Sequence, residues 1–261
     1  MVKAAAVGDN CIDSYKNLNK NYPGGSPVNF AVYMKELGVD TSYIGVIGDD
    51  DNGKIIVNEV KGRGVDVSRL HTKPGKTAVT QIELINKNRV FTAYDEGVFE
   101  HFTLDEDDIS FIKTHHLVHS DINGRTEGYY HIFKEADIIT SFDFSNQLKE
   151  EIVNPMLPYV DYAFFSYDRY DSFIENYIIK AQMLGSKVVV ATLGENGSIA
   201  FDGRKLYKQD IYKVDVVDTL GAGDSFIAGF MYGILNNKSV ECCLDLGAKT
   251  AAKTISYFGA W

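Results

Sequence analysis

Short apolar runs alternate with amphipathic stretches through most of the chain. "KAAAVGD" near the start, then "SYIGVIG", "HLVHSDI", "IITSFDFS", "VDYAFFS" and "KVVVATLG", read as short buried strands. Between them "SPVNFAVYMKELG" and "DNGKIIVNEVKGRG" read as helices, with further helical windows around 124–137, 148–157 and 170–184. The first helix has marked ends: Ser26 as N-cap, Pro27 at the first helical position, Gly38 just past the last turn. Strands and helices in alternation predict a mainly parallel sheet with helices on both faces. Residues 77–97 break the rhythm with two extended runs about a polar Asn86-Lys87-Asn88 turn, and 13–23 form a short excursion off the first strand. These two segments, about 13–23 and 77–98, predict a small β-sheet lid standing off the main layer. A second hairpin, "GSIAFDGRKLYKQD", turns at Asp202-Gly203. Two helices follow, about 223–236 and 240–257, the second with Ser239 as N-cap.

The 261 residues fit one domain, 1–261, with the lid as its appendage. With 45% hydrophobic and 24% charged residues, the chain can bury a sizeable core. Its 26 basic residues face 36 acidic ones, and the net charge of -10 argues against nucleic acid and anionic membrane as partners. Cys11, Cys242 and Cys243 form neither a disulfide framework nor a C-x-x-C pair. The opening "MVKAAAVGDNC" is too soon interrupted for a signal peptide, and no run approaches eighteen apolar residues. A reducing cytoplasm is the expected compartment.

An acidic chain that binds an anion needs a local device against its own field. "VVDTLGAGDSFIAGF", residues 216–230, has the makings of one. Phe226, Ile227, Phe230, Met231 and Ile234 recur at helical spacing, so Gly221, Ala222 and Gly223 stand at a helix entrance. First-turn amides lack intrahelical partners and carry partial positive charge, and the glycines let them converge on a phosphoryl group. Asp224 beside them would repel a resting phosphate, but suits a base that takes a proton from an attacking hydroxyl. A plain glycine turn with an acid in the first helical turn is the bland alternative. "GDDDNGKI", residues 48–55, nearly matches a phosphate-binding G-x-x-x-x-G-K-[ST] loop, yet its three carboxylates and Ile55 rule that out. It reads as an acidic helix start. His115, His116 and His119 have no supporting ligand spacing and read as structural.

"DTLGAGDSF" resembles the D-T-x-G-A-G-D signature of the ribokinase-like (PfkB) carbohydrate kinases. Three further segments match that family in order: "GDNCID" with Asp9 and Asp13, "GGSPVN" with Gly24, Gly25 and Asn29, and "ATLGENGSIAF" with Thr192, Gly194 and Gly197. The resemblance implies a three-layer α/β sandwich and ATP-dependent phosphorylation of a sugar hydroxyl. It makes Asp224 the base, 221–224 the anion hole, and Asp9, Asp13, Gly24, Gly25 and Asn29 the sugar side. Thr192, Gly194, Gly197, Asp218, Thr219 and Gly223 then hold the nucleotide, with magnesium at its phosphates and a potassium loop near Gly259. One departure stands out: the family's magnesium-linked N-x-x-E motif is "SYDR" here, Ser166 to Arg169, leaving Asp168 or Asp171 to act through water. "GDNCIDSY", "HTKPGKTAVTQIEL", "RVFTAYDEGV" and the terminal "GAW" resemble the branch of the family that acts on a glycated lysine. That substrate implies a carboxylate partner such as Arg89 or Arg125, with Asp95 and Glu96 near the amine. Fructokinase and 2-keto-3-deoxygluconate kinase are the rivals within the family, and a non-catalytic sugar or nucleotide sensor is the rival outside it. The lid edges are unpaired in a single chain, and the resemblance implies a homodimer that pairs them through the lid.

Overall fold

A computed structural model describes residues 2–15, 20–85 and 88–261, the side chains of 84, 85 and 88–91 excepted. The polar turn expected at Asn86-Lys87 and the side chain of Arg89 lie outside the described residues. The chain runs β1 (Lys3–Val7), β2 (Cys11–Tyr15), β3 (Lys20–Gly24), α1 (Ser26–Glu36), β4 (Asp40–Gly48), α2 (Asp51–Gly62) and β5 (Asp66–Lys73). It continues through β6 (Val79–Ile85), β7 (Asn88–Asp95), α3 (Glu106–Ile112), β8 (Leu117–Asp121), α4 (Tyr130–Glu135), β9 (Ile139–Asp143) and α5 (Glu150–Val153). The last elements are β10 (Tyr162–Ser166), α6 (Ser172–Met183), β11 (Val188–Thr192), β12 (Ser198–Phe201), β13 (Leu206–Gln209), α7 (Ala222–Leu235) and α8 (Val240–Thr254).

The large sheet has the order β13-β12-β11-β10-β9-β8-β1-β4-β5, parallel from β11 to β5 and closed at one edge by the antiparallel β12–β13 hairpin. Alternate residues of one strand enter different cores, as the pleat requires. Ala5 and Val7 of β1 pack with Ile112, Phe133, Val153 and Ile178 on the α3–α6 face. Ala4 and Ala6 pack with Phe30, Val60, Phe230 and Leu244 on the face of α1, α2, α7 and α8. Burial on both faces is why these strands read as unbroken apolar runs rather than alternating ones.

The second sheet has the order β3-β2-β6-β7. Its outer pairs are antiparallel and its central β2–β6 pair is parallel, joining the two segments that broke the sequence rhythm. Two elements escaped the periodicity. The β5 edge strand is mostly exposed or half-buried and so lacks an apolar run, and α3 is a short helix held by a capping box between Asp105 and Asp108.

Candidate active site

The chain leaves β1 toward β4 and β5 on one side, and later fills β8 to β13 on the other, so the crevice beyond β1 and β8 is a topological switch point. Open α/β sheets bind ligands at such a crevice, beyond the carboxyl ends of the strands. Three acids stand there. Asp9 lies two residues past β1, Asp121 ends β8, and Asp143, paired with Asp121 across the ladder, ends β9. The Asp9 and Asp121 carboxyls face each other, and each keeps a buried Oδ1 without a hydrogen-bond partner among the described residues. Burial, and then the charge of its neighbour, holds Asp121 well above the usual carboxylate range; burial raises Asp9 as well. Two such carboxyls are one coupled site, and together they hold a proton to higher pH than either would alone in water. Burial also pushes Asp143 up to about 7, against a bond from the Ser145 N–H at 2.7 Å.

Asp13 lies buried on β2 of the small sheet, and Gly24 on β3 leaves it room: a Cβ there would come within 2.5 Å of the Asp13 Oδ2. Gly25 turns the chain from the small sheet into α1 at φ 107, and a Cβ on it would strike the Asp9 carbonyl oxygen at 2.7 Å. The two glycines therefore bring the sheet backbone against the acids of the crevice.

Across the crevice stands the first turn of α7. Gly221 is its cap in the left-handed region at φ 72, and the Ser225 N–H makes the first helical bond to the Gly221 carbonyl at 2.8 Å. Ala222 donates to Thr219 O at 3.3 Å, while the N–H groups of Gly223 and Asp224 have no acceptor among the described residues. A Cβ on Gly223 would meet nothing within 4 Å among the described residues, so the first turn of α7 is uncrowded on that side. Asp224 projects from this turn and is gripped from α1. Ser26 Oγ donates to its Oδ1 at 2.8 Å and Asn29 Nδ2 to its Oδ2 at 2.7 Å. Burial outweighs both donors and raises its pKa.

The expected nucleotide side follows along the same sheet edge. Thr192 ends β11 beside Ser166, their hydroxyls 3.3 Å apart, with exposed Gly194 and half-buried Gly197 just beyond. Asp218 is buried and accepts the N–H groups of Leu220 at 3.0 Å and Gly259 at 2.9 Å, which ties the loop before α7 to the segment after α8. Thr219 is exposed next to it. Residues 211–217 present Ile211, Tyr212, Val214, Val216 and Val217 to solvent, an apolar strip that leads into this loop.

Several sequence-based expectations change. Ser26 does not cap α1; Gly25 holds that position with no side-chain bond, and the Ser26 hydroxyl serves Asp224 instead. Asn29 is not free for a sugar at both ends, since its Oδ1 accepts from the Trp261 indole at 2.8 Å while its Nδ2 serves Asp224. Asp171 is occupied as the cap of α6 and as the partner of Arg169 at 2.9 Å. Arg125 pairs with Glu96 at 2.5 Å, on a wall shared with Tyr94, Asp95 and Glu100. The acidic helix start at 49–51 is more than solvated, because Asp50 caps α2 and also accepts from both Thr77 N and Oγ1. His119 is buried against Phe30 and bonded to Ser141 Oγ, and His115 to Ser42 Oγ, which are structural placements. Among the described residues, His71, Asp105 and Asp108 are the one grouping close enough for a metal, far along the sheet at the β5 edge, and Arg69 stands 3.8 Å from Asp108. Sequence reasoning missed Asp121, Asp143, Ser26 and Trp261. The first two carry a signal in the sequence, an acid at the carboxyl end of an apolar run.

The pfkB family carbohydrate kinase model matches residues 12–261. The chain is 41% identical over 261 residues to fructoselysine 6-kinase of Escherichia coli (strain K12), covering 100% of both chains. It is 35% identical over 266 residues to fructosamine kinase FrlD of Bacillus subtilis (strain 168), covering 100% of this chain and 93% of that one. Arabidopsis thaliana ribokinase, solved with ribose and ATP, superposes with a TM-score of 0.87 at 23% identity over 99% of this chain and 93% of its own. Among the described residues, no helix is long and apolar enough to cross a membrane.

Proposed function

This chain belongs to the pfkB family of carbohydrate kinases, and from that premise we propose that it transfers the γ-phosphoryl group of ATP to the 6-hydroxyl of fructoselysine. Full-length similarity to two fructosamine-type kinases supports the branch. The observation that carries the substrate is the buried Asp9–Asp121 pair at the switch point. A neutral sugar can offer that pair hydroxyls, but fructoselysine adds a secondary ammonium with two N–H donors and a positive charge. Such a cation relieves the repulsion that keeps one of the carboxyls protonated. Tyr94 and the Glu96–Arg125 pair border the same space, where the amino-acid tail leaves the crevice.

Asp224 accepts the proton of the 6-hydroxyl as its oxygen forms a bond to the γ-phosphorus and the bond from that phosphorus to the bridging oxygen of ADP breaks. The free Gly223 and Asp224 amides stabilise charge on the transferring group. Ser26 and Asn29 hold the carboxylate in place, and the β3-β2-β6-β7 sheet acts as a lid that excludes water. ATP lies along Thr192, Gly194, Gly197, Asp218 and Thr219, its base toward the apolar 211–217 strip. Magnesium bound with the nucleotide supplies charge neutralisation at the phosphates; Asp143 fits it as an oxygen donor with one protein hydrogen bond, whereas Asp171 is already engaged. Potassium, expected at a loop near Gly259, has no step assigned to it, and the Ile255 and Ala260 carbonyls on either side of that glycine already accept hydrogen bonds. The free edges of β3 and β7 pair across a homodimer, and a monomer by sedimentation at micromolar concentration rejects that arrangement.

The test is ADP release with fructoselysine, fructose and 2-keto-3-deoxygluconate. Fructoselysine is expected to give the highest kcat/KM, and Asp121→Asn to lower that value more than the value for fructose. A better rate on fructose makes the protein a plain fructokinase. No ADP release with any of the three sugars would leave a sensor on a kinase fold.

A further inference from the structure

Trp261 is the one tryptophan of the chain. Its ring lies against the Arg63 guanidinium, 5.0 Å from the ring centre, and Arg63 is in turn held by Glu36 at 3.1 Å. Its indole N–H donates to Asn29 Oδ1 at 2.8 Å. An indole nitrogen can only donate, so this bond decides which way the Asn29 amide faces. With Oδ1 turned to Trp261, the amide NH2 faces Asp224 and donates to its Oδ2 at 2.7 Å. The flipped amide would set two acceptors against each other, its own oxygen and the carboxylate. The main chain beside Trp261 is anchored too, because the Ala260 carbonyl accepts from the hydroxyls of Tyr33 and Tyr257.

We propose that Trp261 is a positioning residue for phosphoryl transfer, locking the Asn29 amide so that Asp224 is held in one orientation toward the acceptor hydroxyl. The inference rests on the reading of Asp224 as the base, and it extends the reacting assembly from the α7 entrance and α1 to the segment after α8. The groups that face Asp224 divide by sign. Asp9 and Asp143, beyond β1 and β9, bring like charge once they ionise, and the Tyr33 phenol lies near it on α1. Ser26 and Asn29 are the donors that favour its ionised form. An Asn29 amide free to rotate withdraws one of those two donors. Asp224 then keeps its proton to higher pH, and a base must be ionised to act.

Trp261→Phe retains a ring for Arg63 and removes the N–H. In the wild-type background, kcat should fall about fivefold to tenfold, the worth of one oriented hydrogen bond. The KM for ATP should not change, and the acidic limb of the kcat profile should move to higher pH. In an Asn29→Ala background the same replacement should cost nothing further. Equal losses in both backgrounds, or an unaltered kcat and pH profile in Trp261→Phe, overturn the proposal. A second measurement needs no turnover. The single indole N–H cross-peak in a 1H–15N spectrum should move on Asn29→Ala, and should titrate with pH in the wild type but not in Asp224→Asn. A peak indifferent to both changes removes the relay, whatever the substrate proves to be. If the peak responds while Asp224→Asn keeps wild-type turnover, the fault lies in the reading of Asp224, and the positioning role falls with it.

Discussion

Asp224→Asn tests the base directly, and the geometry around Asp224 says what the variant keeps. The carboxylate takes Ser26 Oγ on one oxygen at 2.8 Å and Asn29 Nδ2 on the other at 2.7 Å. An asparagine amide fits the same pair, with its oxygen accepting from Asn29 and its NH2 donating to the Ser26 hydroxyl, which can accept as well as donate. Both contacts survive, and only the capacity to take a proton is lost. The expected fall in kcat is about a hundredfold to ten-thousandfold, the usual contribution of a general base. In barrier terms that is about 3 to 5 kcal/mol. The thermal midpoint has a definite sign. Burial raises the Asp224 pKa, so the folded state disfavours its ionised form at neutral pH, and a neutral amide removes that penalty. The midpoint should therefore hold or rise while kcat collapses. Coupled ADP-release kinetics with saturating ATP and sugar, beside a melting curve, read both quantities. A kcat within tenfold of the wild type would refute the base, and a lost midpoint in step with lost rate would reduce Asp224 to a structural acid.

Gly24→Ala places a Cβ 2.5 Å from the Asp13 Oδ2, the movable end of a side chain, so Asp13 should swing aside rather than the sheet unfold. The sugar KM should rise roughly tenfold with the ATP KM unchanged, and an unaltered sugar KM removes Asp13 from substrate binding. The carboxyls of the crevice also predict a pH dependence of stability. Asp143 is raised to about 7, and Asp121 well above the normal range, so the folded chain binds more protons than the unfolded chain until those groups ionise. Stability should then fall as pH rises from about 7 to about 8, above the range where His115 and His119, whose pKa values burial lowers, pull the other way. Melting curves of the ligand-free protein across that window check the sign; a midpoint that climbs contradicts it, and Asp143→Asn should flatten the slope.

The family and the layered fold were legible in the sequence because their signals are local. An apolar run with no polar gaps marks a strand buried on both faces, and β1, β4, β8, β9, β10 and β11 all lie where those runs fall. The loop at 221–224 is legible for the same reason: glycines and an acid at a helix entrance describe a backbone shape over a few residues. Signals that depend on exposure were lost, as at β5, where half-buried and exposed positions leave no periodic run. What the sequence could not show is which side chains meet across the chain. Ser26 meets Asp224 over a separation of 198 residues, and Trp261 meets Asn29 over 232. The order in which strands pair is a property of the whole sheet, and it sets β8 rather than a later neighbour beside β1. That order puts Asp121 against Asp9 and turns two ordinary strand-end acids into a buried coupled pair, while the packing of α1 against α7 brings Ser26 to the carboxylate of Asp224. Local pattern decides which segments form strands and helices; the strand order and the packing of α1 against α7 decide which of their ends share one crevice.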